Sequence, residues 1–314
     1  MNAIIFPGQG SQVVGMGKDF FNKFDLVKSI FSEADEKLNF KISKLILEGP
    51  EEQLKLTQNT QPAILVVSYS IFSVLKKEFK FDFSSTKYFA GHSLGEYSAL
   101  VCAESLNFHD ALYLLYERGK SMQEAVPVGK GSMIAVLGTS IDDLKKELIE
   151  FKKNNPNTIC EIANDNANGQ IILSGEKKSL DLFRDILKNK KKKTIPLNVS
   201  APFHCSLMEP ASNYMKNKIN DVKFSEPKFQ IISNVSAEPE NNPSNIKKLL
   251  IDQIFSTVRW RESLIKMYNQ KIDNFIEIGP GKVLSGMAKR TLKDINCFSL
   301  NTIDDMKLIN ESEK

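Results

Sequence analysis

The sequence predicts an α/β protein made of strand–turn–helix units with a small α+β insertion. Three observations lead there. Short apolar runs, "AIIF" (3–6), "KYFA" (87–90) and "NFIEI" (274–278), each lead into a glycine-bearing turn and then an apolar-periodic helix. Within residues 127–199 the texture changes to short alternating segments: "MIAVLG", "DDLKKELIEFKKN", "TICEIANDN", "GQIILSG", "KSLDLFRDILKNKKKK" and "KTIPLNV". That order of strand and helix suggests an antiparallel sheet in a split β-α-β arrangement. The composition, 41% hydrophobic and 25% charged over 314 residues, suits a globular chain with a full core.

In chain order, "AIIF" reads as a buried strand ending at Pro7 in the turn "PGQGSQVVGMGK". A dinucleotide fingerprint starting at Gly8 would need glycine where Val13 stands, and no P-loop is present. Phe20, Phe24, Val27, Phe31, Ala34 and Leu38 recur at helical spacing and mark one amphipathic helix whose stripe packs on the core. "TQPAILVVSYSIFSVLKKEF" is a second helix with Pro62 in its first turn, where a missing N–H costs little. A third, "DALYLLYERGKSMQEA", follows Asn107 as its cap. The lysine run 190–193 reads as a solvated, dipole-compensating helix end, with an acidic partner as the alternative. "QIISNV" is a strand and "IKKLLIDQIFSTVRWRESLIKMY" holds helices. Gly279-Pro280-Gly281-Lys282 has neither the spacing nor the hydroxyl of a Walker loop and is a structural turn, and the tail "NESEK" is expected to fray.

Several function classes are excluded at this level. A net charge of +4 with basic residues scattered among acids does not suit nucleic acid. Cys102, Cys160, Cys205 and Cys297 lie far apart, so neither a metal site nor a disulfide framework is expected. "MNAIIFPGQG" lacks the basic region of a signal peptide, and the longest apolar stretch (63–75) is too short to span a bilayer. A cytoplasmic protein that does not engage membranes is expected.

The chemistry is carried by "YFAGHSLGEYSAL" (88–100). Strand, Gly91-His92-Ser93-Leu94-Gly95, then helix is the context in which G-x-S-x-G forms a nucleophile elbow, with Ser93 on a strained turn. A serine hydroxyl needs a base, and the chain has three histidines. His92 adjoins Ser93, and neighbouring side chains on a turning backbone diverge. His109, in "NFHDAL", falls in the first turn of a helix and reads as a surface residue. His204, in the proline-broken "SAPFHC", lies where the chain re-enters the larger part. By elimination His204 is the base, and the order serine then histidine is that of α/β-hydrolase-like enzymes.

"FPGQGSQ", "GHSLGEYSAL", "RGKSMQEAVP", "NANGQIILSG", "SAPFHCSLM", "QIFSTVRW" and "EIGPGKVLSG" follow in the order found in bacterial malonyl-CoA:acyl-carrier-protein transacylases. The chain resembles that family from Ile4 to about Leu300. The resemblance implies an α/β-hydrolase-like core with a parallel sheet (1–126 and 200–314) and an inserted ferredoxin-like subdomain (127–199). It implies ping-pong transfer of malonyl from malonyl-CoA through Ser93 to acyl carrier protein, supplying fatty acid biosynthesis, without a cofactor and in a monomer. It further implies Ser93 as nucleophile, His204 as general base and acid, and the N–H groups of Gln9 and Leu94 as the oxyanion hole. Arg118 would pair with the malonyl carboxylate, although alone it reads as an exposed helix charge. The main-chain carbonyl of Gln253 would orient His204, and Met122 and Phe203 would contact substrate. Leucine-like and phenylalanine residues at the places of Leu94 and Phe203 accompany malonyl choice in related polyketide acyltransferases. Two departures from the family pattern, Ser256-Thr257 for Asn-Pro and Asn168 for proline, affect loop shape and no reacting group.

Two rival readings remain at this stage. A serine hydrolase would use the same serine and histidine, and competition between thiol and water as acceptor separates it. A non-catalytic carrier-protein-binding module would form no acyl-enzyme.

Overall fold

The fold is taken from a computed structural model that describes residues 1–199 and 201–312. Among these residues, ten strands divide between two sheets: β1 (Asn2–Phe6), β2 (Thr86–Gly91), β3 (Gly131–Leu137), β4 (Cys160–Ala167), β5 (Gln170–Glu176), β6 (Lys193–Pro196), β7 (Gln230–Ile232), β8 (Pro239–Glu240), β9 (Asn274–Ile278) and β10 (Asn296–Leu300). The larger sheet runs β10-β9-β1-β2-β7-β8 and is parallel throughout, except that the two-residue edge strand β8 lies antiparallel to β7.

β1 lies in the interior of this sheet, and every one of its residues is buried. Ile4 and Phe6 face one side, packing with Phe72 and Phe89. Ala3 and Ile5 face the other, in a cluster with Trp260, Leu264 and Met267. A parallel strand covered on both faces needs such an unbroken apolar run rather than alternation. Because β1 pairs in parallel with β2 on one side and β9 on the other, three turns emerge at one edge of the sheet. In open α/β sheets that carboxyl edge is where ligands bind.

The smaller sheet, β4-β5-β3-β6, is wholly antiparallel and is built from residues 131–196. Its helices are Ile141–Asn154 and Lys177–Asn189, giving the β-α-β-β-α-β order of a ferredoxin-like unit. Ile134 and Val136 face these helices, whereas Met133 and Ala135 join the main core. The period-two alternation of β3 is thus shared between two hydrophobic interiors. Residue 200, where the sequence places the return to the larger part, lies outside the described residues.

Three local expectations are corrected. The stripe from Phe20 to Leu38 belongs to two helices, Lys18–Lys23 and Asp25–Leu38, broken where Phe24 is extended (φ −117°, ψ 119°). Both helices face one core, so the spacing survives the break. The helix containing Pro62 starts at Thr57, which puts the proline inside it rather than in its first turn. Burial of most of that helix compensates the hydrogen bond that Pro62 removes. The first residues of the tail, 310–312, continue the helix Ile303–Ser312. Glu313 and Lys314 lie outside the described residues.

Of the two departures, Thr257 Oγ1 donates to the Ile162 carbonyl, and Val258 pairs with Ala163 and Asp165 of β4. This segment therefore ties the small sheet to the large one. Asn168 is an exposed residue of the β4–β5 turn, with Nδ2 3.4 Å from the Thr291 carbonyl.

Candidate active site

The elbow is made possible by the absence of two side chains. A Cβ on Gly91 would lie 1.9 Å from the Gly95 backbone, and one on Gly95 would lie 2.3 Å from the Phe6 carbonyl oxygen. Strand, turn and helix can therefore close on β1, and Ser93 is held at φ 54°, a region that non-glycine residues rarely adopt. Asn234 stabilises this backbone. The β2–β7 ladder ends at Ala90 opposite Ile232. Beyond it, Asn234 Nδ2 donates to the Gly91 carbonyl at 2.7 Å, and its Oδ1 accepts from the Ser93 N–H at 2.6 Å.

Ser93 Oγ lies 2.8 Å from His204 Nε2, and His204 Nδ1 lies 2.8 Å from the main-chain carbonyl of Gln253. A carbonyl can only accept, so Nδ1 carries the hydrogen and Nε2 keeps its lone pair for the serine proton. His204 is 5% exposed. Burial, and then the Arg118 charge, push its pKa down to about 3, so the imidazole is a neutral base at neutral pH. It too occupies the left-handed region, at φ 58°. His92 turns away: its Nε2 lies 2.8 Å from Asn166 Oδ1, and its ring meets Trp260 edge-on. His109 is half exposed and reaches Glu33.

Arg118 is not the exposed helix charge that its position alone suggests; it is 1% exposed. Gly119 lets its helix, Phe108–Glu124, approach the backbone of Thr57, where a Cβ would come within 2.5 Å. That approach brings Arg118 Nη1 to 2.7 Å from Gln61 Oε1. Nη2 donates to Gln253 Oε1 at 2.8 Å and to Ser93 Oγ at 3.2 Å. Among the described residues Arg118 forms no ion pair, and burial holds its pKa below the usual arginine range.

A cleft of about 220 Å³ opens over Ser93. Gln9, Met122 and Phe203 line it, together with Met133 and Ile172 from the small sheet. The side chain of Leu94 packs into the main core and takes no part in the cleft wall. Among the described residues, neither the Gln9 nor the Leu94 N–H has a hydrogen-bond partner. No group of three or more His, Cys, Asp or Glu residues among them is arranged to hold a metal ion.

Sequence reasoning missed Gln61, Asn234 and Glu96. Glu96 is 2% exposed, and burial raises its pKa to about 7 against hydrogen bonds from Asn234 and Gln253. Its one visible signal was a carboxylate in the otherwise uncharged helix "GEYSALVC".

The acyl transferase domain family matches residues 3–310. The chain is 42% identical over 307 residues to the malonyl CoA-acyl carrier protein transacylase of Bacillus subtilis, covering 98% of this chain and 95% of that one. It is 37% identical to the Haemophilus influenzae protein of the same name, with 98% of each covered. Among solved structures, the acyl-carrier-protein S-malonyltransferase of Bartonella henselae superposes with a TM-score of 0.95 at 40% identity, over 99% of this chain and 98% of that one. A malonyl-transacylase in complex with its type II polyketide acyl carrier protein gives 0.94 at 36% identity, over 99% of each. An elbow serine, a distant histidine and a full-length match of this kind have one reading: the chain belongs to the acyl transferase domain family.

Proposed function

We propose that this chain moves a malonyl group from malonyl-CoA to the phosphopantetheine thiol of acyl carrier protein through a malonyl-Ser93 ester, supplying malonyl carrier protein for fatty acid biosynthesis. His204 Nε2 takes the Ser93 proton as Oγ attacks the thioester carbonyl carbon. The oxyanion forms against the free N–H groups of Gln9 and Leu94, a type of stabilisation worth roughly 3–4 kcal/mol per donor. The C–S bond breaks, and His204 returns the proton to the departing sulfur. In the second half-reaction the carrier thiol gives its proton to His204 and attacks the ester, and Ser93 leaves with that proton. Gln253 holds the imidazole in the required tautomer in place of an acidic third member. The acyl group keeps its oxidation state and rides on serine, so the chemistry calls for no cofactor. One chain supplies every group named, which supports a monomer. We place the reaction in the cytoplasm, where coenzyme A thioesters are made. No helix among the described residues is long and apolar enough to cross a membrane.

Arg118 carries the choice of substrate. It is a buried guanidinium without a carboxylate partner among the described residues, with Nη2 3.2 Å from the nucleophile. A malonyl group puts its carboxylate one methylene from the reacting carbonyl, within reach of a guanidinium at that distance, and the planar fork grips carboxylates through two bonds. Met122 and Phe203 line the space beside it. The test is intact mass after mixing with malonyl-CoA. A single adduct on Ser93 that phosphopantetheine-bearing carrier protein discharges, and water does not, is expected. Rapid discharge by water alone would make the protein a hydrolase, and no adduct at all would make it a binding module.

A further inference from the structure

Gln253 is the junction of this site, and what fixes its side chain is Glu96. The Gln253 amide presents Oε1 to Arg118, at 2.8 Å, and turns Nε2 the other way. There Nε2 finds Glu96 Oε2 at 2.8 Å, the Ser93 carbonyl at 3.1 Å and Asn234 Oδ1 at 3.4 Å. Glu96 provides the shortest of the three and the only carboxylate. The same oxygen, Oε2, accepts the Asn234 N–H at 3.1 Å, and Asn234 in turn holds Ser93. An amide can be reversed with little change in shape, and a reversed Gln253 would point N–H groups at the guanidinium.

We propose that Glu96, which contacts no substrate, is a positioning residue that sets acyl preference: by fixing the Gln253 amide it holds Arg118 beside Ser93, ready for an acyl carboxylate. This rests on the malonyl-transfer reading above. The consequence concerns the ratio of malonyl to acetyl transfer, because an acetyl group has no use for the guanidinium. A role confined to folding would lower both reactions together.

The experiment measures kcat/KM for malonyl-CoA and acetyl-CoA, with thermal unfolding as a control, in Glu96→Leu, Glu96→Gln and Gln253→Met. Glu96→Leu should lower the malonyl-to-acetyl ratio about tenfold or more, since small misplacements of a gripping group are costly. Glu96→Gln offers one carbonyl oxygen to the same two donors and should recover most of the ratio. Gln253→Met keeps the main-chain carbonyl on His204 but removes the amide, and it should reproduce the lowered ratio. Glu96→Leu added to it should then lower the ratio no further, because both act through one group. A folded Glu96→Leu protein with the wild-type ratio would overturn the proposal, as would Glu96→Gln losing as much as the leucine. If Glu96→Leu does not fold, a wild-type ratio in Gln253→Met overturns it alone. Absence of a malonyl adduct on the unsubstituted protein would sink the transfer reading itself, whereas an adduct with unmoved ratios would sink only the role of Glu96.

Discussion

β1 is flanked by two strands that each end in a tight turn and a helix, and the two turns treat their helix N-termini differently. After β9, the carboxylate of Glu277 reaches under the turn and accepts the N–H groups of Leu284 and Ser285, at 3.0 and 2.7 Å. Those donors open the helix Val283–Thr291 and would otherwise be orphans. After β2, the buried carboxylate Glu96 points away from its own helix start, toward Asn234 and Gln253, and the Leu94 N–H stays free. The first arrangement settles a turn. The second leaves a donor available at the cleft and places strain on the one residue that has to react. A strand–turn–helix unit becomes a catalytic candidate when its first donor is left without an internal partner.

The largest expected effect breaks the elbow side of this comparison. Ser93→Ala should abolish the malonyl adduct and cut turnover about 10³-fold or more. A persistent adduct elsewhere, for example on Cys205, would refute the assignment. Next comes Arg118→Ala, which strands the substrate carboxylate. Loss of a buried partner costs roughly 3–5 kcal/mol, so malonyl transfer should fall from about a hundred-fold to several thousand-fold. Acetyl transfer should be preserved or improved, and equal losses in a folded variant would make the arginine structural. Arg118→Lys should recover only part of the preference, since it keeps the charge and loses the fork.

Glu277→Ala probes the settled turn. Two buried N–H groups lose their acceptor, which should cost about 1–3 kcal/mol of stability for each while the folded fraction still acylates on Ser93. Loss of acylation without loss of stability would erase the distinction between the turns. The pH dependence is subtler. His204 is pushed down to about 3 from an ordinary 6.5, so the unfolded chain binds the extra proton first. Its contribution to stability therefore declines as pH falls through 6.5 toward 3, and thermal unfolding followed over that range should show a smaller decline in His204→Ala. An unchanged decline in His204→Ala would remove His204 as its source. The smallest effect is expected at the lysine run. Lys190 is already paired with Glu147 and Glu150, which marks a solvated helix end. Neutralising Lys191, Lys192 and Lys193 should change the KM for carrier protein by less than about twofold at low salt, and a large salt-sensitive rise would establish an electrostatic docking patch.

The parts legible in the sequence were those written in contiguous residues. Ser93 lay in a glycine-bounded turn between strand and helix, and alternating segments announced the antiparallel insertion. His204 was reached because the chain offers so few histidines. The structure brings these together with Arg118 and Gln253. What escaped were partnerships across the fold. Asn234 meets Ser93 over a separation of 141 residues, and Gln253 meets Glu96 over 157. No local pattern records which amide completes which strand end. Leu94 shows the opposite limit: its motif position was clear, yet the direction of its side chain, into the core, depends on how the helix Gly95–Cys102 docks. The break at Phe24 was invisible because two helices on one core keep a common stripe.

The placement of β1 between β2 and β9 has a consequence for the growing chain on the ribosome. The first strand made waits for almost the last, so one of its edges has no partner until residues 274–278 emerge. The nucleophile is synthesised well before its base, and the base before the carbonyl that sets its tautomer. A nascent chain that has not reached residue 204 therefore carries Ser93 without its base. It also carries an apolar strand edge open to pairing with other nascent chains, a hazard inherent in non-local topologies. Pairing of β9 with β1 closes that edge, and the sheet's carboxyl end then bears all three turns.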